Sequence, residues 1–122
     1  MFTLLLMIFM HIFDDFYLQG WLATGKQKKW WRNLSEYSDL YKYDYIMALL
    51  AHSFSWAFMM MLPIFYMSRF NLSAIHILVF TVNIVIHAIV DDLKANRFKI
   101  NLIQDQSIHL IQIVATFIIF RY

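Results

Sequence analysis

Cysteine is missing from all 122 positions, which excludes disulfides and thiolate metal ligands. Any metal must therefore be held by imidazole and carboxylate. Charge is scarce too: Asp, Glu, Lys and Arg make up 15% of the residues, against 61% hydrophobic. A soluble domain carries roughly 45–50% apolar and about 25% charged residues. A chain with this balance cannot cover its apolar surface in water. The net charge is only +2 and no basic tract suits nucleic acid. No nucleophile elbow, phosphate loop or conventional zinc-protease motif is present. The first apolar run has no basic segment before it and no small-residue cleavage site after it, so it reads as a helix of the mature protein rather than a signal peptide.

With only two glycines and one proline, the apolar residues gather into four long runs, and the mean hydropathy is +0.57. Each run approaches the roughly 20 residues that span about 30 Å of hydrocarbon. The expected fold is all-α: one domain over 1–122, an integral membrane four-helix bundle with helices at 1–18, 44–67, 72–94 and 102–121. Pro63 falls late enough in the second helix to kink its far end without breaking it. The connection 20–43 is longer than bundled helices usually need. It interleaves Lys26, Lys28, Lys29, Arg32, Lys42, Glu36 and Asp39 with Trp21, Trp30, Trp31, Tyr37, Tyr41 and Tyr43. Rings beside cations suit a headgroup layer, so the connection reads either as an amphipathic interfacial helix or as a solvated loop with aromatic anchors. Asn33-Leu-Ser35 and Asn71-Leu-Ser73 match a glycosylation pattern, but Asn71 or Ser73 is more simply a helix N-cap. Asn101 with Gln104 resembles a capping box.

Lys and Arg collect in cytoplasmic loops. The connection 20–43 has five and the segment 93–101 has three, while 68–71 has Arg69 and the C-terminal end Arg121. Four crossings then put both ends outside and both basic loops in the cytoplasm, in a bacterial inner membrane.

The polar residues inside the runs are spaced, not scattered. His76, Asn83, His87, Asp91 and Lys94 follow steps of 7, 4, 4 and 3, and Asp105, His109, Gln112 and Thr116 steps of 4, 3 and 4. Both patterns keep to one helical face. His11 and Asp15 end the first helix at i,i+4, and Asp44 and His52 open the second. In this topology His11, Asp15, His52, His87, Asp91, Asp105 and His109 share one depth in the cytoplasmic third. His76 alone lies in the outer half, as a packed or hydrogen-bonded histidine. Asp14 and Asp92 point about 100° from their neighbours and read as interfacial. The order His–Asp then Asp–His recurs in each half, a faint duplicated helical hairpin.

Polar groups also glue membrane helices together. Yet each ionisable group at the bilayer centre costs about 2.5–3.5 kcal/mol, so three carboxylates cost at most about 10 kcal/mol, more than mere glue requires. The seven His and Asp residues are therefore candidate ligands for one or two divalent cations, Zn, Mn, Fe or Ni. Gln19, Asp44, Asn83, Lys94, Gln106 and Gln112 are candidate supports for them. A His/Asp proton or cation relay is the alternative use of the same groups.

The same residues carry a resemblance. His11-x-x-x-Asp15-Phe-x-Leu-Gln19, a downstream Lys26 or Lys28, Ala51-His52, His87-x-x-x-Asp91-x-x-Lys94 and Asp105-Gln106-x-x-His109 resemble a family of small integral membrane proteins of bacteria and phages. That family is filed as domain of unknown function three-three-zero-seven. The resemblance covers nearly the whole chain; Asp14, where a small residue is expected, and the charge-rich connection depart from it. It implies that the polar set is a functional core and supplies no reaction. Metal-dependent hydrolysis near the membrane is the expected activity. The rivals are a proton or cation pathway and a non-catalytic phage membrane protein that modulates a host partner through 20–43. Lipid is the expected partner and nucleic acid is not; assembly as a homo-oligomer stays open.

Overall fold

In the computed structural model, which describes residues 1–34 and 39–121, the described chain is all-helical with no strand. Glu36, Tyr37 and Ser35, named above in the connection, lie outside the described residues. The elements are α1 (Phe2–Phe13), a π-helical turn (Asp14–Leu18), α2 (Leu22–Gly25), α3 (Lys28–Arg32), α4 (Asp44–Met67), α5 (Ala74–Ala95) and α6 (Leu102–Ile119). Helix α1 packs on α4 and α6, α4 on α5, and α5 on α6.

Three of these, α4, α5 and α6, are long and apolar enough to cross a membrane. Their outward faces carry the same message. Leu78, Val82, Val85 and Ile89 of α5 and Ile103, Ile111 and Ile118 of α6 are exposed, a continuous apolar surface that water would not tolerate. Helix α1 differs from the expected uninterrupted 1–18. Its 12 α-helical residues rise only about 18 Å before the π turn carries the chain to Leu18. Gly20, at φ +46°, then turns the backbone into α2.

The apolar core is sulfur-rich. Met7, Met60 and Met61 pack with Trp56, Ala57, Ile64, Phe65, Val79, Ile113 and Phe120; unbranched thioethers fill irregular gaps between helices. Pro63 lies within α4 and is buried. Both expected caps form: Ser73 pairs reciprocally with His76 at the start of α5, and Asn101 with Gln104 at the start of α6.

The connection after the π turn contains two short helices rather than one. Gly25 is required there, because a Cβ would stand 2.9 Å from the Trp21 ring. The Trp31 indole N–H donates to the Gly25 carbonyl at 2.6 Å. The segment is fastened to the end of α5: the Lys28 amide donates to Asn96 Oδ1 (2.7 Å) and Asn96 Nδ2 donates to the Lys26 carbonyl (3.0 Å).

Candidate metal centre

The stripes predicted on α5 and α6 are buried stripes. His76, Asn83, His87 and Asp91 are buried on α5, while Val82 and Ile86 are exposed. Asp105, His109, Gln112 and Thr116 are buried on α6. Helix α4 adds His52 and the π turn adds Asp14 and Asp15, all buried. Four histidines from four helices meet: the ring centroids of His52 and His87 are 5.1 Å apart, His87 and His109 4.2 Å, and His11 and His109 5.9 Å.

Two trios of ligand atoms form within this cluster, Asp15–His52–His87 and His87–Asp91–His109. In the first, His52 Nε2 stands 3.2 Å from His87 Nε2 and 3.3 Å from Asp15 Oδ1; Asp91 Oδ2, outside this trio, lies 3.4 Å from His52 Nε2. Ligands around a tetrahedral ion with bonds of about 2.0–2.1 Å lie about 3.3–3.4 Å apart. The two distances within the trio are of that size, and its three atoms come from three helical segments. In the second, His109 Nε2 faces Asp91 Oδ1 at 3.7 Å, and Asp105 Oδ1, outside the trio, at 3.4 Å.

Hydrogen bonds determine what the His109 nitrogens can do. Gln112 Nε2 donates to Asn83 Oδ1 at 3.1 Å, and Asn83 Nδ2 donates to Thr116 Oγ1 at 2.9 Å. Gln112 therefore presents its carbonyl oxygen to His109 Nδ1, 3.1 Å away, so Nδ1 carries a hydrogen. Nε2 is left facing two carboxylate oxygens. It has no hydrogen-bond partner among the described residues, and neither has Asp105 Oδ1. A nitrogen lone pair that faces two anionic oxygens calls for a cation, a proton or a metal ion.

His11 has a different place. The Trp56 indole N–H can only donate, and it donates to His11 Nδ1 at 2.7 Å. Nε2 must then carry the hydrogen that Gln106 Oε1 accepts at 3.1 Å. Both nitrogens are committed, and His11 stands beside the trios rather than in them. It orients Gln106, whose amide nitrogen donates to Asp15 Oδ2 (3.2 Å) and Asp105 Oδ2 (3.1 Å).

Lys26 Nζ donates to Asp91 Oδ2 and Lys94 Nζ to Asp105 Oδ2, each at 2.6 Å. Four buried carboxylates, Asp14, Asp15, Asp91 and Asp105, thus face two ammonium groups. Two negative charges remain when all four are ionised, and only protonated histidines or one divalent cation can balance them nearby.

The other expected residues fall outside the cluster or at its edge. Gln19 donates to the Asp15 carbonyl oxygen. Asp44 is partly exposed in the first turn of α4, eight residues and about 12 Å from His52. The carboxylates beside His52 come instead from the π turn and from Asp91 of α5. Asp14, expected at the interface, is buried: Ser55 Oγ donates to its Oδ1 at 2.6 Å, and its Oδ2 lies 3.8 Å from His52 Nδ1. Trp56, which the sequence reading does not single out, stacks on His87 at 4.2 Å; its i,i+4 spacing from His52 is the signal that marks it. Lys26 sits in a connection without periodicity, where only the resemblance pointed to a lysine.

Compared with protein-family models, with curated proteins and with solved structures, the chain matches none.

Proposed function

We propose that the chain is a four-helix membrane protein, N-out and C-out, whose cytoplasm-facing His/Asp centre binds one or two divalent cations. The observation that carries this is the buried trio Asp15–His52–His87, in which His52 Nε2 stands 3.2 Å from His87 Nε2 and 3.3 Å from Asp15 Oδ1. The two negative charges left over when all four buried carboxylates are ionised support it. Nitrogen and carboxylate donors suit Zn, Mn, Fe or Ni. The resemblance to small membrane proteins of bacteria and phages agrees with a functional role for these residues.

Hydrolysis of a substrate at the membrane surface is the activity this centre suits best. A bound cation there supplies Lewis acidity. The chain's own residues hold the geometry: Gln112 orients His109, Gln106 joins Asp15 to Asp105, and Lys26 and Lys94 occupy the Oδ2 atoms of Asp91 and Asp105. Both of those carboxylates keep Oδ1 turned toward His109.

A proton or cation route across the membrane needs polarity along the whole length. The hydrogen-bonded series from His109 through Gln112 and Asn83 ends at Thr116. Among the described residues no hydrogen bond continues it to His76. Val79 lies between Asn83 and His76 on the buried face of α5, and Phe120 stacks on His76 at 4.6 Å. That favours a closed centre over a through-path.

The test is thermal stability. A ligand that binds only the folded state stabilises it by about 2.7 kcal/mol at a hundred times its Kd. Chelation should lower the Tm and metal should restore it, less so as pH falls and protons compete for imidazole. His87→Ala and Asp91→Ala should lose the shift. His76→Ala should keep it, since His76 lies eleven residues, about 16 Å, along α5 from His87.

A further inference from the structure

At the other end of the helices from the His/Asp centre lies a cavity of about 330 Å³ that includes His76 and Arg121 in its walls. His76 is buried, 5% exposed, and its tautomer follows from its neighbours. The Ser73 backbone N–H, which can only donate, points at His76 Nδ1 at 3.3 Å, and Ser73 Oγ lies 2.8 Å from the same atom. Nδ1 is therefore an acceptor, and the ring hydrogen sits on Nε2. That Nε2–H is a buried donor with no hydrogen-bond partner among the described residues. An unpaired buried donor costs on the order of 1–3 kcal/mol, and the cap that creates it could have been made by a residue without a second nitrogen.

The rest of the cavity says what would satisfy the donor. Arg121, exposed at the rim, brings a guanidinium, and the walls include Ile64, Met67, Phe117 and Phe120. Met1, Thr3 and Ser68 line it too, and among the described residues no Asp or Glu does. A buried hydrogen-bond donor and a guanidinium in a cavity that also offers apolar side chains match an oxyanion carried on a hydrocarbon chain.

We propose that this cavity is a second ligand site, separate from the His/Asp centre, for an anionic amphiphile. The carboxylate or phosphate oxygen accepts from His76 Nε2–H and faces Arg121, and the alkyl chain lies against Ile64, Met67, Phe117 and Phe120. Carboxylate and phosphate amphiphiles share this chemistry, and the probes below separate them.

The experiment follows the His76 Nε2–H resonance of ¹⁵N-histidine-labelled full-length protein in a neutral detergent. The probes are decanoate, decyl phosphate, decanol and inorganic phosphate. Decanoate or decyl phosphate should shift the resonance saturably, at concentrations at least about tenfold below any effect of decanol or inorganic phosphate. Response to decanoate alone identifies a fatty acid site; response to decyl phosphate alone identifies a phospholipid-type site. Arg121→Gln, a change at an exposed side chain that leaves the core intact, should weaken the response about tenfold, the loss of one charge-assisted contact. His87→Ala should leave it unchanged. No saturable shift with either amphiphile overturns the proposal, and so does an equal response to decanol or to inorganic phosphate.

Discussion

At the scale of the single residue, the centre depends on which nitrogen of each histidine is free. His109 is useful as a ligand because Gln112 occupies Nδ1 and leaves Nε2 aimed at Asp91 and Asp105. Removing such an orienting partner typically costs 10–100-fold in metal affinity. Gln112→Leu should weaken divalent-cation binding by about that factor while the helices still fold, measured by competition with a chromophoric chelator; unchanged affinity would show that Gln112 does not orient His109. The same logic shows where the sequence was readable and where it was not. Spacing alone brought out His87, Asp91, Asp105 and His109, because i,i+3 and i,i+4 steps define a face, while His52 is read from its eight-residue step after Asp44 and its depth. It could not tell His11 from a ligand, since only the Trp56 indole and the Gln106 carbonyl reveal that both of its nitrogens are taken.

At the scale of the element, the stripe on α5 and the π turn after α1 make contrasting cases. The α5 stripe follows the regular helical period, and the structure buries Asn83 while leaving Val82 45% exposed. Asn83→Leu removes the acceptor of Gln112 and the donor to Thr116, and should destabilise by about 1–3 kcal/mol. Val82→Leu, on the outward face, should stay within about 0.5 kcal/mol. Equal losses in chemical unfolding would mean that the stripe is a coincidence of spacing. The π turn breaks the period that sequence reading assumes. Regular α geometry puts Asp14 about 100° from Asp15, whereas the irregular turn buries both, one on Ser55 and the other beside His52. Such turns are rare and concentrate at functional sites, and no residue in Asp14–Leu18 announces one. The expected duplication also weakens here, because the carboxylates beside His52 come from the π turn and α5 and not from Asp44.

At the scale of the whole molecule, the apolar outward faces, the three membrane-length helices and the two basic connections form one account. Both basic connections belong on the side of the His/Asp centre, and one of them sends Lys26 into it. Single cysteines placed at Gln27 and Lys99 should resist an impermeant thiol reagent in intact cells, and one at Asn71 should react; the reverse pattern would turn the centre outward. The account stands most directly on the metal content of the protein itself. Purified without chelator, it should contain about one or two equivalents of Zn, Mn, Fe or Ni, by the ligand arithmetic of carboxylate–histidine bundles. His87→Ala and Asp91→Ala should contain none, and His76→Ala as much as the wild type. Wild-type protein that takes up none of these ions when supplied with each, while His87→Ala and Asp91→Ala still abolish its activity, would contradict the metal centre.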